Sequence, residues 1–70
     1  MSRIPQLVHR VYEAELVPDG TPFLVAVSSV RETSLREEIS LGQRLIRLVE
    51  VVAETRDRNE ARALAGGVEM

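Results

Sequence analysis

The chain contains no cysteine, and all nine of its basic residues are arginine. Without cysteine neither a disulfide nor a thiolate metal site can form, so the redox compartment leaves no mark on the sequence. A single histidine removes the common zinc patterns, which need several nitrogen or sulfur ligands close together. The longest uninterrupted apolar run covers residues 23–27, far short of the ~20 residues of a membrane-spanning helix. The N-terminal stretch lacks the basic, apolar and small-residue regions of a signal peptide, so the expected location is cytoplasmic. No serine sits in a nucleophile elbow, and Gly66-Gly67 lacks the lysine and hydroxyl of a phosphate loop. Neither catalysis nor a cofactor is therefore expected.

The net charge of -2 and a pI near 5.3 argue against a general nucleic-acid or anionic-membrane binder, which needs a basic field. With 44% apolar residues the chain belongs to the folding class, not the disordered one. Its 70 residues make one small domain at most, and a chain of this size buries only about 60% of its unfolded surface. Small domains without disulfides or metals lean on oligomerisation or a partner.

The most apolar stretch is residues 34–54, SLREEISLGQRLIRLVEVVAE. Ser34 followed by Glu37 fits a capping box, in which serine and glutamate satisfy free amides of a first helical turn. At ~100° per residue, Gln43, Arg47, Glu50 and Glu54 share a narrow polar stripe with Arg36, leaving an apolar arc roughly 220° wide. That arc resolves into two seams. One holds Leu41, Leu45, Leu48 and Val52; the other holds Leu35, Ile39, Gly42, Ile46, Val49 and Ala53. The β-branched Ile46, Val49, Val51 and Val52 support a competing strand. A half-buried strand alternates, however, and the adjacent pairs Leu45-Ile46 and Leu48-Val49 break that alternation. The reading is a helix over residues 34–55.

Residues 1–5 form a short lead-in. The segment that follows is ambiguous. As a strand, Val8, Tyr12, Ala14 and Leu16 share one face and His9, Glu13 and Glu15 the other, with Arg10 as the exception. As a helix, Ile4, Leu7, Val8 and Val11 line up, with Ser2 as the cap; the next turn tips the balance to the strand. Val17-Pro18-Asp19-Gly20-Thr21 is a turn with a mechanism, since proline pre-sets its dihedral, aspartate bonds back to the backbone and glycine tolerates a left-handed conformation. FLVAVSSV then reads as a strand, apolar on both faces: Phe23, Val25 and Val27 on one, Leu24, Ala26 and Val30 on the other. Residues 6–30 therefore form a β-hairpin. Residues 56–65 read as a short helical extension, either continuous with the helix before it or restarted at Asp57 or Asn59 after a break near Arg56, with Gly66-Gly67 as its stop. Val68 to Met70 read as frayed. The expected fold is α+β, a β-hairpin packed on a long amphipathic helix (ββα), in a single domain over residues 1–70.

His9, Glu13 and Glu15 on one strand face suggest acid–base or metal chemistry, but a solvated face accounts for them and no third ligand or pocket accompanies them. Arg44 and Arg47, followed by Arg56, Arg58 and Arg62, form a basic track interleaved with Glu50, Glu54, Asp57 and Glu60, the pattern of a salt-bridged solvated face. Arg44 and Arg47 are the candidate nucleic-acid contacts if any exist.

Tyr12 to Val27, YEAELVPDGTPFLVAV, resembles the opening hairpin of HicB-type antitoxins, over less than a third of the chain. The proline-containing segment that follows the second strand in that family has no counterpart at Ser28-Ser29-Val30-Arg31. The resemblance implies a third strand and a helix drawn from residues 50–65, with residues 34–43 as an insertion. It also implies a regulator that neutralises a partner protein.

Apolar surface in excess on two independent elements points first to a small non-enzymatic interaction module, a homodimer or an accessory subunit on a larger protein. The expected interface is Leu41, Leu45, Leu48 and Val52 on the helix, with Leu24 and Ala26 on the second strand.

Overall fold

The computed structural model describes residues 6–70; the lead-in over residues 1–5 lies outside them. Four antiparallel strands, β1 (Val8–Val17), β2 (Pro22–Ser29), β3 (Glu38–Leu41) and β4 (Arg44–Thr55), form one sheet in the order β2-β1-β4-β3, followed by one short helix, α1 (Arg58–Leu64). The expected long helix over residues 34–55 is absent. That stretch is a β-hairpin, and the fold is a mostly antiparallel sheet with a seven-residue helix.

The hairpin of residues 8–29 runs in continuous register from Val8 opposite Ser29 to Glu15 opposite Pro22. Its turn contains a cis Val17–Pro18 bond, with Gly20 N–H donating to the Leu16 carbonyl at 2.6 Å. Proline begins β2 on an edge strand, where a missing N–H removes no ladder bond. The second hairpin closes through Gly42-Gln43, since Leu41 and Arg44 are already paired. Gly42 has φ +62° and Gln43 does not share the positive φ, the pattern of a type II′ turn with glycine first.

Two register shifts in the β1–β4 ladder explain why β4 does not look like a strand. Ala14 faces Leu48 but Glu13 faces Glu50, so Val49 is an extra residue; Tyr12 faces Val51 but Val11 faces Ala53, so Val52 is another. Each is a β-bulge, and each resets the alternation by one residue. Residues of one face are then Ile46, Leu48, Val51 and Glu54, and of the other Leu45, Arg47, Glu50 and Ala53. Period two has become period three over this stretch, which imitates helical spacing.

The two faces are buried by different means. On the first, Tyr12, Ala14, Val25, Ile46 and Leu48 are completely buried, with Val27 beside them and Leu16, Phe23, Ile39, Leu41 and Val51 at the margin. Residues 30–37 must travel from β2 at one edge to β3 at the other, and they cross this face, where Thr33 N–H donates to the Tyr12 hydroxyl at 3.0 Å. On the second face α1 lies against one end of the sheet. Ala61 and Ala65, four apart and both small, pack against Val11, Ala26 and Ala53. The apolar character of both faces of β2 thus has its reason, since each is covered for part of its length.

Helix α1 begins as anticipated at Asp57, whose carboxylate accepts from Asn59 N–H at 2.9 Å and Glu60 N–H at 3.3 Å. It ends in a Schellman motif: Gly67 N–H reaches the Arg62 carbonyl and Gly66 N–H the Ala63 carbonyl, both glycines having positive φ. Residues 68–70 are not frayed. Ala26 N–H donates to the Val68 carbonyl and Met70 N–H to the Ala26 carbonyl, which makes a parallel bridge on the outer edge of β2. No helix among the described residues is long and apolar enough to cross a membrane.

Candidate functional site

The six residues expected to form an interface do not converge. Leu48 is fully buried in the core, Leu41 packs at its margin, and Ala26 lies beneath α1. Leu24, Leu45 and Val52 are exposed, at 38%, 44% and 48%, but Leu24 lies on β2, Leu45 near the β3–β4 turn and Val52 at a bulge. The single helical seam is replaced by separate surfaces.

The open side of β4 is one of them. β3 pairs only with Arg44 to Arg47, so the remaining two-thirds of β4 has no strand beside it among the described residues. Arg36 N–H donates to the Leu48 carbonyl at 2.8 Å, and beyond that point the side is open. Arg36 holds a left-handed φ of +69° to make this contact. Leu35, Val49 and Val52, all more than two-fifths exposed, therefore lie along or beside the open side of β4. Two of the three are the bulge residues, a placement that periodicity could not reveal because the bulges hide the strand itself.

The charged face is a lattice of pairs. Arg47 donates to Glu15 at 3.2 Å and to Glu38 at 3.3 Å, drawing β1, β4 and β3 together. Glu13 lies directly across from Glu50 in the ladder. A hydrogen bond with Glu50 raises the Glu13 pKa, assisted by partial desolvation and by the charges of Glu50 and Glu15. His9 does not join Glu13 and Glu15 in a cluster. It is buried under the helical end, with Nδ1 2.5 Å from Ser28 Oγ on the neighbouring strand. Among the described residues no group of three metal-ligating side chains is arranged to hold an ion.

The arginines divide similarly. Arg44 is exposed at the turn, while Arg47 is engaged by two carboxylates, so the pair offers no joint free positive field. Arg10, the exception in its strand, faces the core side and pairs with Glu54 at 3.0 Å across the ladder. At the far end Arg58 forms a bidentate pair with Glu69, at 2.8 and 3.3 Å. That hydrogen bond lowers the Glu69 pKa, with further help from the charges of Arg58, Arg62 and His9. An open depression lies between Glu15, Arg36, Arg47, Leu48 and Val49, and among the described residues no serine, threonine, cysteine or histidine lines it.

Comparison with family models, with curated proteins and with solved structures found no match to this chain.

Proposed function

We propose that the chain is a small non-enzymatic interaction module that pairs with a second copy of itself or docks as an accessory subunit on a larger protein. The observation that supports this most is the open side of β4, where Val49 and Val52 are 43% and 48% exposed and, among the described residues, no strand pairs beyond Arg47 on the side away from β1. Unpaired edges and apolar surface are what a partner covers. A surface serving only solvent would carry charge there. The bulges narrow the choice of partner: a flat strand cannot slide along this side in arbitrary register, so the contact is specific.

Sedimentation of the native chain at micromolar concentration tests the reading. A dimer, or a larger assembly retained with a co-purified protein, is expected, and Val52→Glu should return it to the mass of one chain with the fold intact. A native chain that sediments as one chain, with nothing retained, removes the proposal.

The antitoxin reading is the alternative, favoured by one observation. A third long strand, residues 44–55, followed by a helix, residues 58–64, lies close to where that resemblance requires them, with β3 as the insertion. Under it the partner is a toxin protein. Nucleic-acid contact would have to come from Arg44, since Arg47 is committed to Glu15 and Glu38. Loss of a salt-dependent gel shift on Arg44→Gln would support such contact, and no shift at low salt would eliminate it.

A further inference from the structure

The outer edge of β2 already holds a strand. Val11 and Ala26 face each other in the ladder, yet both main-chain groups of Ala26 bond outward, to residues 68 and 70. Alternation then turns the N–H and C=O groups of Leu24 and Ser28 to the same open side. The edge is therefore able to accept a strand longer than the three residues now seated on it.

The seat also has chemistry. Glu69, the central residue of the bridge, is gripped in bidentate fashion by Arg58, at 2.8 and 3.3 Å. Its neighbours Val68 and Met70 are apolar and still 37% and 41% exposed. The occupant is held by two main-chain hydrogen bonds to Ala26, a third from Val68 N–H to the Ala65 carbonyl at 3.3 Å, and one ion pair. It follows directly on the Schellman motif of Gly66-Gly67, which turns the chain from α1 back onto the edge of β2. Edge protection alone would not need a bidentate arginine on the carboxylate of its central residue.

We infer that the outer edge of β2, with Arg58, accepts an extended segment of a partner protein that carries a carboxylate between apolar side chains, a place residues 68–70 occupy in cis. This deepens the reading of the chain as an interaction module and rests on it. Main-chain bonds to Leu24, Ala26 and Ser28 supply affinity, and Arg58 selects the acidic residue. Residues 68–70 act as an internal competitor that a longer strand displaces.

The probe is an acetylated, amidated Gly-Val-Glu-Met peptide and its Gln counterpart, titrated into the full chain and followed by amide shifts. Two full-length variants loosen the internal strand: Met70→Pro, which removes the N–H that reaches Ala26, and Glu69→Gln, which leaves the main chain unchanged should the first fail to fold. Weakening an intramolecular competitor should tighten peptide binding at least about tenfold in Met70→Pro and about twofold to threefold in Glu69→Gln, relative to the native chain. The Glu peptide should bind about threefold or more tighter than the Gln peptide, as expected for one exposed ion pair, and Arg58→Gln should erase that preference. Shifts should centre on Leu24, Ala26 and Ser28. Equal binding of the two peptides, equal binding to native and loosened chains, or shifts elsewhere would each overturn the inference. A dimer in sedimentation with no peptide response would defeat this site alone and leave the general reading standing.

Discussion

Tyr12 shows how one side chain ties a crossing loop to the sheet. Its ring is fully buried in the core, and its hydroxyl accepts the Thr33 N–H from the segment that spans the face. Tyr12→Phe would leave that amide without its acceptor while preserving the packing. A loss of about 1 kcal/mol in denaturant unfolding is expected, with amide exchange at Thr33 accelerated more than in β1. The Glu13–Glu50 pair makes the opposite contribution. A raised folded-state pKa means Glu13 stabilises the fold below its unfolded value near 4.5, and that contribution is lost as pH rises through the folded value. Glu69 has the reverse sign, its contribution present above the same value and lost as pH falls. Glu50→Gln should therefore raise the melting temperature at neutral pH, with the gain shrinking toward pH 4. An unchanged gain across that range would show that the two carboxylates do not interact.

At the scale of elements, the legible parts were those whose alternation is unbroken. In β1 the split between Tyr12, Ala14 and Leu16 on one side and His9, Glu13 and Glu15 on the other follows from period two, and β2 showed two apolar faces that the core and α1 now explain. Asp57 as a cap and the glycine stop were equally readable from local chemistry. β4 was not readable, because the bulges at Val49 and Val52 stretch its spacing to three and produce an apparent helical stripe. The signals that compete with that stripe are the β-branched residues of β4, the Glu-Ile-Ser-Leu alternation of β3 and the Gly42-Gln43 turn between them. Gly42→Ala tests the turn, since its φ of +62° strains any residue with a Cβ; a cost of about 1 kcal/mol is expected. In a helix the same change would have stabilised the chain. The candidate site was harder to see than the strands. Leu45 and Val52 were singled out and are exposed, but the bulges and the short β3 that expose Val52 are tertiary facts.

For the whole molecule, a small core sets the tolerance to change. Leu48 was expected on an interface, and it is instead among the largest fully buried side chains. Leu48→Ala should cost ~2–5 kcal/mol, comparable to the ~3–5 kcal/mol a chain this short commonly has in total. The variant should be largely unfolded by circular dichroism at 37 °C, and Leu48→Glu more so, which makes neither a probe of assembly. Surface variants along β4 serve that purpose because they leave the core alone. The most direct measurement is amide hydrogen exchange along β4 as a function of protein concentration, with the native co-purified material as the second arm. If the open side of β4 is an interface, amides from Val49 to Thr55 gain protection as concentration rises or when the partner is retained, and Val52→Glu abolishes the gain. Protection that is identical at every concentration, in both arms, would contradict the account.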